Sequence, residues 1–306
     1  SIKGTMMEKN WKIIETLSKD QPSQTLRDLL QKQWLLPRRF VYYLRTRHNV
    51  LVNGQYYPVN HQVQPADIIE LNFNGDEFRT PQTHYQPTPH PRLNVLFENR
   101  DVLVVNKPAG QKMHPNQPLE IGTLLNDAAG YLKTSSADAF MVHRLDQATS
   151  GAVAIAKNPI VVPILDRRIS QGQMHRQYLA LVAGNITPDA GKFDWPIGRD
   201  LLDQRKRRVN GFASQPALTY YQVAWRGKNA TLVRLQLATG RTHQLRVHLA
   251  YSGHPIIGDP LYGTIDASRM MLHGIKQQLV LPFTEKIQTI QAPIDDEFKQ
   301  ILLKYK

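Results

Sequence analysis

The chain has 306 residues, enough for about two domains with sizeable cores. Thirty-eight Lys and Arg against 25 Asp and Glu leave a net charge of +13 and an isoelectric point near 9.8, which points to a polyanionic partner and above all to nucleic acid. The absence of cysteine excludes disulfides, thiolate catalysis and Cys-based zinc sites; no apolar run reaches 18 residues, and no stretch reads as a basic amphipathic membrane helix.

Ser1 to Asn10 lacks the apolar core of a signal peptide, so a cytoplasmic protein without a membrane partner is expected. The chain opens on Ser and carries Met6 and Met7, and no fold expectation attaches to its first residues. Thr25 can cap a helix beginning at Leu26, with Asp28 in its first turn, and Pro37 suits the first turn of a second helix running to about Arg47. In that second helix Arg38, Tyr42 and Arg45 share one face, with Arg39 and Arg47 nearby, a pattern in which arginines hold phosphate and an aromatic stacks on a base. Val50 to Tyr57 reads as a hairpin, because Asn53-Gly54 supplies the two positive φ angles of a type I′ turn, and Asp67 to Phe73 reads as a strand. This order of helix, helix, hairpin and strand over residues 12–75 resembles the S4-like RNA-binding module. Ala66-Asp67 departs from the module's usual Gly-Asp, which puts one turn in question. Asn74 to Arg92 is polar and contains Pro81, Pro87, Pro89 and Pro91, so residues 76–91 are expected to form an extended linker ahead of a second domain over 92–306.

In the second domain Asn94–Phe97 and Val102–Asn106 read as strands, followed by the break Lys107-Pro108-Ala109-Gly110. Structural roles are expected for Lys107 and for His114. His143-Arg144-Leu145-Asp146-Gln147-Ala148-Thr149-Ser150-Gly151 places a carboxylate on a connection that Thr149, Ser150 and Gly151 can shape, just before the β-rich run Ala152–Lys157. Asn158 and Pro159 can open a helix toward Gly172, delayed or kinked by Pro163. Met174 to Gly184 alternates as a strand with Arg176 and Tyr178 on one side, and Thr231 to Leu237 is another. Thr242 can cap a helix from His243 to Ser252, closed by Gly253; Leu245 and Leu249 face the core and Arg246 points elsewhere. His243, His248 and His254 do not form a metal set, since 243 and 248 fall on different helix faces and no HExxH pattern accompanies them. Arg205-Lys206-Arg207-Arg208 is the densest basic run and is expected to meet phosphate.

Taken together, the HRLD-x-x-TSG block, Gly240-Arg241-Thr242-His243-Gln244-Leu245-Arg246-Val247-His248 and Gly258-Asp259-Pro260-Leu261-Tyr262-Gly263 closely resemble the pseudouridine synthases of the RluA family. The resemblance implies an α+β catalytic domain built on a mixed, largely antiparallel central sheet. It implies that Asp146 is the catalytic carboxylate, that Arg246 pairs with it, and that Tyr178 is the active-site tyrosine. It places Arg144 at the RNA helix from which the nucleotide is extruded, Leu272 at the wall of the uracil pocket and Arg241 among the RNA contacts. Gln147-Ala148 departs from the basic and acidic residues common in the family, which implies altered RNA contacts with the chemistry intact. The implied reaction detaches uracil from ribose at N1 and rejoins it at C5, with no metal, redox cofactor or group donor. Structured RNA is the implied partner, large-subunit ribosomal RNA ahead of transfer RNA, and no obligate protein partner is implied. Two other functions remain: an N-glycosidic hydrolase and a non-catalytic RNA-binding factor in ribosome assembly.

Overall fold

The computed structural model describes residues 9–306, so the reading of the first residues lies outside the described part. The N-terminal unit contains β1 (Trp11–Thr16), α1 (Arg38–Thr46), β2 (Val50–Val52), β3 (Gln55–Tyr56) and β4 (Ile68–Phe73). Its sheet runs β1-β4-β2-β3 with antiparallel neighbours. No strand was expected before Thr25, yet β1 alternates Trp11 and Ile13 inward against Lys12 and Ile14 outward and pairs along the whole of β4. Thr25 does cap, its hydroxyl accepting from the Asp28 N–H at 3.2 Å. The α-helix it starts covers only Leu26–Asp28, however, and continues as a π-helical turn over Leu29–Gln33, where the Trp34 N–H reaches back to Leu29 at 2.8 Å. The β2–β3 turn has φ of 51° at Asn53 and 83° at Gly54, as a type I′ hairpin requires. Ala66 sits at φ 68°, so the turn that favours glycine forms with a Cβ in it.

The second unit contains β5 (Val95–Glu98), β6 (Val102–Lys107), α2 (Leu124–Leu132), β7 (Ser150–Ala156), α3 (Val162–Ser170), β8 (His175–Ala183), β9 (Ala190–Asp194), β10 (Ile197–Arg199), β11 (Arg207–Val209), β12 (Phe212–Gln215), β13 (Leu218–Arg226), β14 (Ala230–Leu237), α4 (Gln244–Tyr251), β15 (Leu272–Val280), β16 (Ile287–Gln291) and α5 (Asp296–Tyr305). The large sheet has the order β9-β13-β14-β8-β15-β7-β6-β5, with β16 added beside β15. It is the expected α+β arrangement, mixed and largely antiparallel: the one parallel pairing joins β7 to β15, at Ser150–His273 and Gly151–Gly274. A small sheet of β10, β11 and β12 stands apart.

Gly151 makes the β7–β15 junction. Its φ is +128°, and a Cβ there would lie 2.4 Å from the Gly274 backbone, so only glycine permits the two strands to meet. Helix α3 starts later than Asn158: the Asn158 side chain accepts from the Val161 N–H, and Pro163 occupies the first turn.

The stretch between the units has no regular strand or helix but is bonded along its length. Phe78 packs between the rings of Phe40 and Phe73, at 5.1 and 5.2 Å. The Trp11 indole donates to the Pro81 carbonyl at 2.9 Å, the Thr83 N–H to Asp138 at 2.6 Å, and the Thr88 N–H to the Asn126 carbonyl at 3.1 Å. The units also touch directly: Arg100 donates to the Ile14 carbonyl at 3.0 Å and pairs with Glu15, and Trp34 meets Phe283 edge to face at 5.0 Å. One buried apolar cluster runs from Leu26, Val50 and Phe73 through to Val104, Ala154 and Leu281.

Candidate active site

Asp146 lies on the connection between the short Phe140–Met141 strand and β7. The Thr149 N–H donates to its carbonyl at 3.0 Å and closes a turn. The next residue, Gln147, is held to the turn after β6: its carbonyl accepts from the Gly110 N–H at 2.8 Å and from Lys107 Nζ at 3.0 Å. Lys107 is fully buried and its ammonium also donates to the Pro108 and Gln111 carbonyls, so it is a three-way clamp on the loop. Burial pulls its pKa down to about 7, and the nearby Asp146 charge opposes that fall.

Behind the loop, Ser150 donates to His273 Nδ1 at 2.7 Å, and the other ring nitrogen of His273 donates to the Ala292 carbonyl at 2.8 Å. Arg269 donates to the Ser150 hydroxyl at 2.6 Å and pairs with Asp295, the N-cap of α5, at 2.8 Å. Burial holds His273 below its ordinary pKa and so favours this neutral form.

Helix α4 supplies the partner. Its N-cap is His243, not the expected Thr242: His243 adopts φ 57°, and the Gln244 side chain folds back to accept from the Arg241 N–H at 3.0 Å and the Thr239 hydroxyl at 2.7 Å. Gly253, at φ 89°, follows the helix as expected. From the buried side of α4, Arg246 Nη1 donates to Asp146 Oδ2 at 3.0 Å. Its remaining fork donates to both oxygens of Asp259, at 2.9 and 2.7 Å. Burial alone would lower the Arg246 pKa, but Asp259 first and Asp146 second outweigh it and raise it. Burial would likewise raise Asp259; bonds from Arg246, with help from the Leu261 and Tyr262 N–H groups, keep it below the usual carboxylate range.

A second layer lies beside Asp146. The Tyr262 hydroxyl accepts from the Arg207 N–H at 2.8 Å, which leaves its hydrogen for His243 Nδ1, also at 2.8 Å. His243 Nε2 then carries the proton and faces Asp146 Oδ2 at 3.9 Å. Burial keeps this imidazole below its ordinary pKa, against the pull of Asp146.

Asp146, His243 and Arg246 line a cleft of about 440 Å³ together with Tyr178 and Leu272 and the arginines Arg144, Arg176, Arg207 and Arg241. Tyr178 and Leu272 are 4% and 3% exposed, whereas the Asp146 side chain is 28% exposed and accessible. The structure thus gathers Asp146, Tyr178, Arg246, Arg144, Leu272, Arg241 and Arg207 in one place. It does not bring the others there. Arg205 pairs with Asp203 on the surface at 2.8 Å; Lys206 precedes β11 and Arg208 lies within it, and neither is in the lining. Arg38, Arg39 and Arg45 stay on α1 of the N-terminal unit, and Arg39 is committed to the Glu77 and Asp76 carbonyls. Arg47 is similarly held, by both oxygens of Asp76. His248 bonds Thr219 and the Trp195 carbonyl, and His254 the Ala183 carbonyl. Core hydrogen bonding or RNA contact was expected of His243, whereas Asp259 and Tyr262 were given no individual role; for Asp259 the usable signal was an Asp in the GDPLYG block, which on burial needs a cation.

The family model for RNA pseudouridylate synthase matches residues 101–251, and that for the RluD ribosomal pseudouridine synthase N-terminal domain matches residues 14–69. An uncharacterized RNA pseudouridine synthase of Bacillus subtilis, YhcT, is 35% identical over 83% of this chain and 86% of its own length. The chain belongs to the RNA pseudouridine synthase family. Pseudouridine synthases named for the ribosomal large subunit are similar too: synthase D of Pasteurella multocida at 34% identity, covering 83% of this chain and 82% of that one, and synthase C of Escherichia coli O157:H7 at 28% over 96% of each. Among solved structures, human RNA pseudouridylate synthase domain containing 1 superposes with a TM-score of 0.59 and 28% identity, over 68% of this chain and 86% of that one. As a pseudouridine synthase the chain is an intramolecular isomerase of RNA uridine.

Proposed function

We propose that this pseudouridine synthase modifies uridine in large-subunit ribosomal RNA, with Asp146 as the reacting carboxylate. The observation that carries the assignment is Asp146 itself, the accessible carboxylate in the cleft, held by a guanidinium whose other face is saturated by Asp259. A guanidinium in that position keeps the carboxylate ionised and oriented. Tyr178 packs against the uracil ring and Leu272 walls its far side. Arg144, at the mouth, occupies the space of the extruded nucleotide, since a stacked base cannot present its glycosidic bond. The relatives named for the ribosomal large subunit support the choice of RNA, and with it a cytoplasmic location.

In the reaction the N1–C1′ bond breaks, a C5–C1′ bond forms, C5 gives up its hydrogen as a proton and N1 gains one. Asp146 attacks C1′, attacks C6 or removes the C2′ proton; all three use the same ion pair. The N-terminal unit, read as S4-like, presents Arg38, Tyr42 and Arg45 to RNA, with Tyr42 54% exposed. Arg205, Lys206 and Arg208, on the cleft's outer side, add phosphate contacts.

The test is tritium release from RNA labelled at uracil C5, taken from cells lacking the gene. Wild-type protein releases tritium from the large-subunit fraction, whereas Asp146→Asn loses at least about a thousandfold in rate and retains RNA affinity. Release from the transfer RNA fraction alone moves the substrate. Free uracil identifies a hydrolase, and binding without any altered nucleoside identifies an assembly factor.

A further inference from the structure

The large sheet has a second face. Arg176 and Tyr178 of β8 line the cleft, so Gln177 between them points to the opposite side. Directly opposed residues of antiparallel strands share a face. On that far side Lys192 opposes Tyr220, Tyr220 opposes Gln236, Gln236 opposes Gln177, and Gln177 opposes Lys276. One polar row therefore crosses β9, β13, β14, β8 and β15, about 19 Å at ordinary strand spacing. Part of it is a groove of about 260 Å³ whose lining includes Gln177, Gln236, Lys276 and His175. Arg234 extends from β14 in the next row.

The face is open because its cover stops short. Leu179 and Leu181, farther along β8, are buried in one cluster with Phe298 and Ile301 of α5. Beyond Leu179 the side chains turn polar, with His175, Lys192, Arg234 and Gln236 exposed and Gln177 and Lys276 half-buried. Tyr220 is 47% exposed, although burying a tyrosine ring is favourable, and it pairs with no other ring among the described residues. Lys192, Arg234 and Lys276 form no ion pair among the described residues. The five strands carry a single carboxylate, Asp194, at the end of the edge strand.

We propose that this face binds an unpaired stretch of the RNA substrate. Bases stack on Tyr220 and bond to the Gln177 and Gln236 amides, while phosphates meet Lys192, Arg234 and Lys276. Unpaired RNA fits better than a duplex, which hides the base faces that the ring would meet. A protein partner fits less well, because apart from Tyr220 the row has no aromatic or aliphatic anchor. Strand β9 is the outermost of the sheet, so a strand leaving the cleft has an edge to turn around. The proposal rests on the RNA reading given above.

The probe is a fluorescein-labelled decaadenylate RNA, which contains no uridine and so is not a substrate. Its binding to the full chain is followed by anisotropy over a range of salt. Tyr220→Ala weakens binding about tenfold. The triple variant Lys192→Gln, Arg234→Gln, Lys276→Gln lowers the slope of log affinity against log salt by about two. No binding by wild type, or binding lost in Arg38→Gln/Arg45→Gln while the far-face variants bind normally, overturns the proposal. Tritium release by wild type is measured in parallel: its failure refutes the enzymatic reading, whereas insensitivity of decaadenylate binding refutes only the far-face site.

Discussion

Arg246 serves two carboxylates with one guanidinium, and they have different duties. Asp259 is sealed from solvent and takes two of the three bonds, so it sets the plane of the fork; Asp146 takes the third and stays accessible. Asp259→Asn should therefore act as a positioning defect. It removes one partner of a buried pair, which costs about 3 kcal/mol of stability, and lets the fork rotate, which costs about a hundredfold in kcat. Steady-state kinetics with KM little changed, alongside a lowered urea midpoint, would show both. Lys107→Met removes three bonds around the same loop, leaving the Pro108 and Gln111 carbonyls without that donor while Gln147 keeps the Gly110 N–H, and should lower stability by about 2 kcal/mol or more, seen in the same midpoint. At this scale the meeting of Asp146, Tyr178 and Arg246 in one cleft was legible, because their motifs are continuous in sequence. Asp259 and the His243–Tyr262 pair were not, because their meaning comes from contacts between segments that only the folded chain brings together.

Among the elements, the clearest sequence signals were local. Asn53-Gly54 dictates its hairpin turn, and Gly253 its helix end, because each requires positive φ. Strand β1 was missed since Lys12-Ile13-Ile14-Glu15 has weak alternation, and its strand state is settled by pairing with β4, nearly sixty residues away. The cap of α4 was misplaced because no side chain caps its first turn: His243 turns the chain at φ 57°, and the Gln244 side chain folds back to the Arg241 N–H ahead of the helix. Two substitutions probe backbone geometry. Gly151→Ala forces a Cβ into the Gly274 backbone at a φ that disfavours it, and should cost about 3 kcal/mol or more with loss of activity. Ala66→Gly relaxes a φ of 68° and should raise stability by up to about 1 kcal/mol. Thermal melts of both variants decide the signs.

For the whole molecule, buried imidazoles couple stability to pH. Burial, assisted by the Arg176 charge, pulls His143 down to about 3, and its Nε2 accepts from the Ala154 N–H at 2.9 Å. Burial also lowers His243, His248 and His273. Unfolded histidines protonate below about pH 6.5 while the folded ones resist, so the unfolded state binds more protons and stability falls as the pH drops from there toward 3. Between pH 7 and 5 His143 alone should remove about 2 kcal/mol. Urea titrations at the two pH values should show the fall, and His143→Gln should shrink it. The bonded course of residues 76–91 was not legible: polar, proline-rich sequence reads as a tether, and its fixed path depends on Phe40, Trp11, Asp138 and Asn126, scattered through both units.

That bonded connection turns the protein into a caliper. The arginine face of α1 and the carboxylate of Asp146 are the two jaws, and the strap from Phe78 to Thr88, with the Arg100–Ile14 bond and the Trp34–Phe283 contact, locks the gap between them. On the proposed reading, in which α1 grips RNA and Asp146 reacts, a target uridine is chosen by its offset from the gripped helix. One base pair inserted between them shifts the uridine along and around the helix, out of reach, although every base the enzyme touches remains the same.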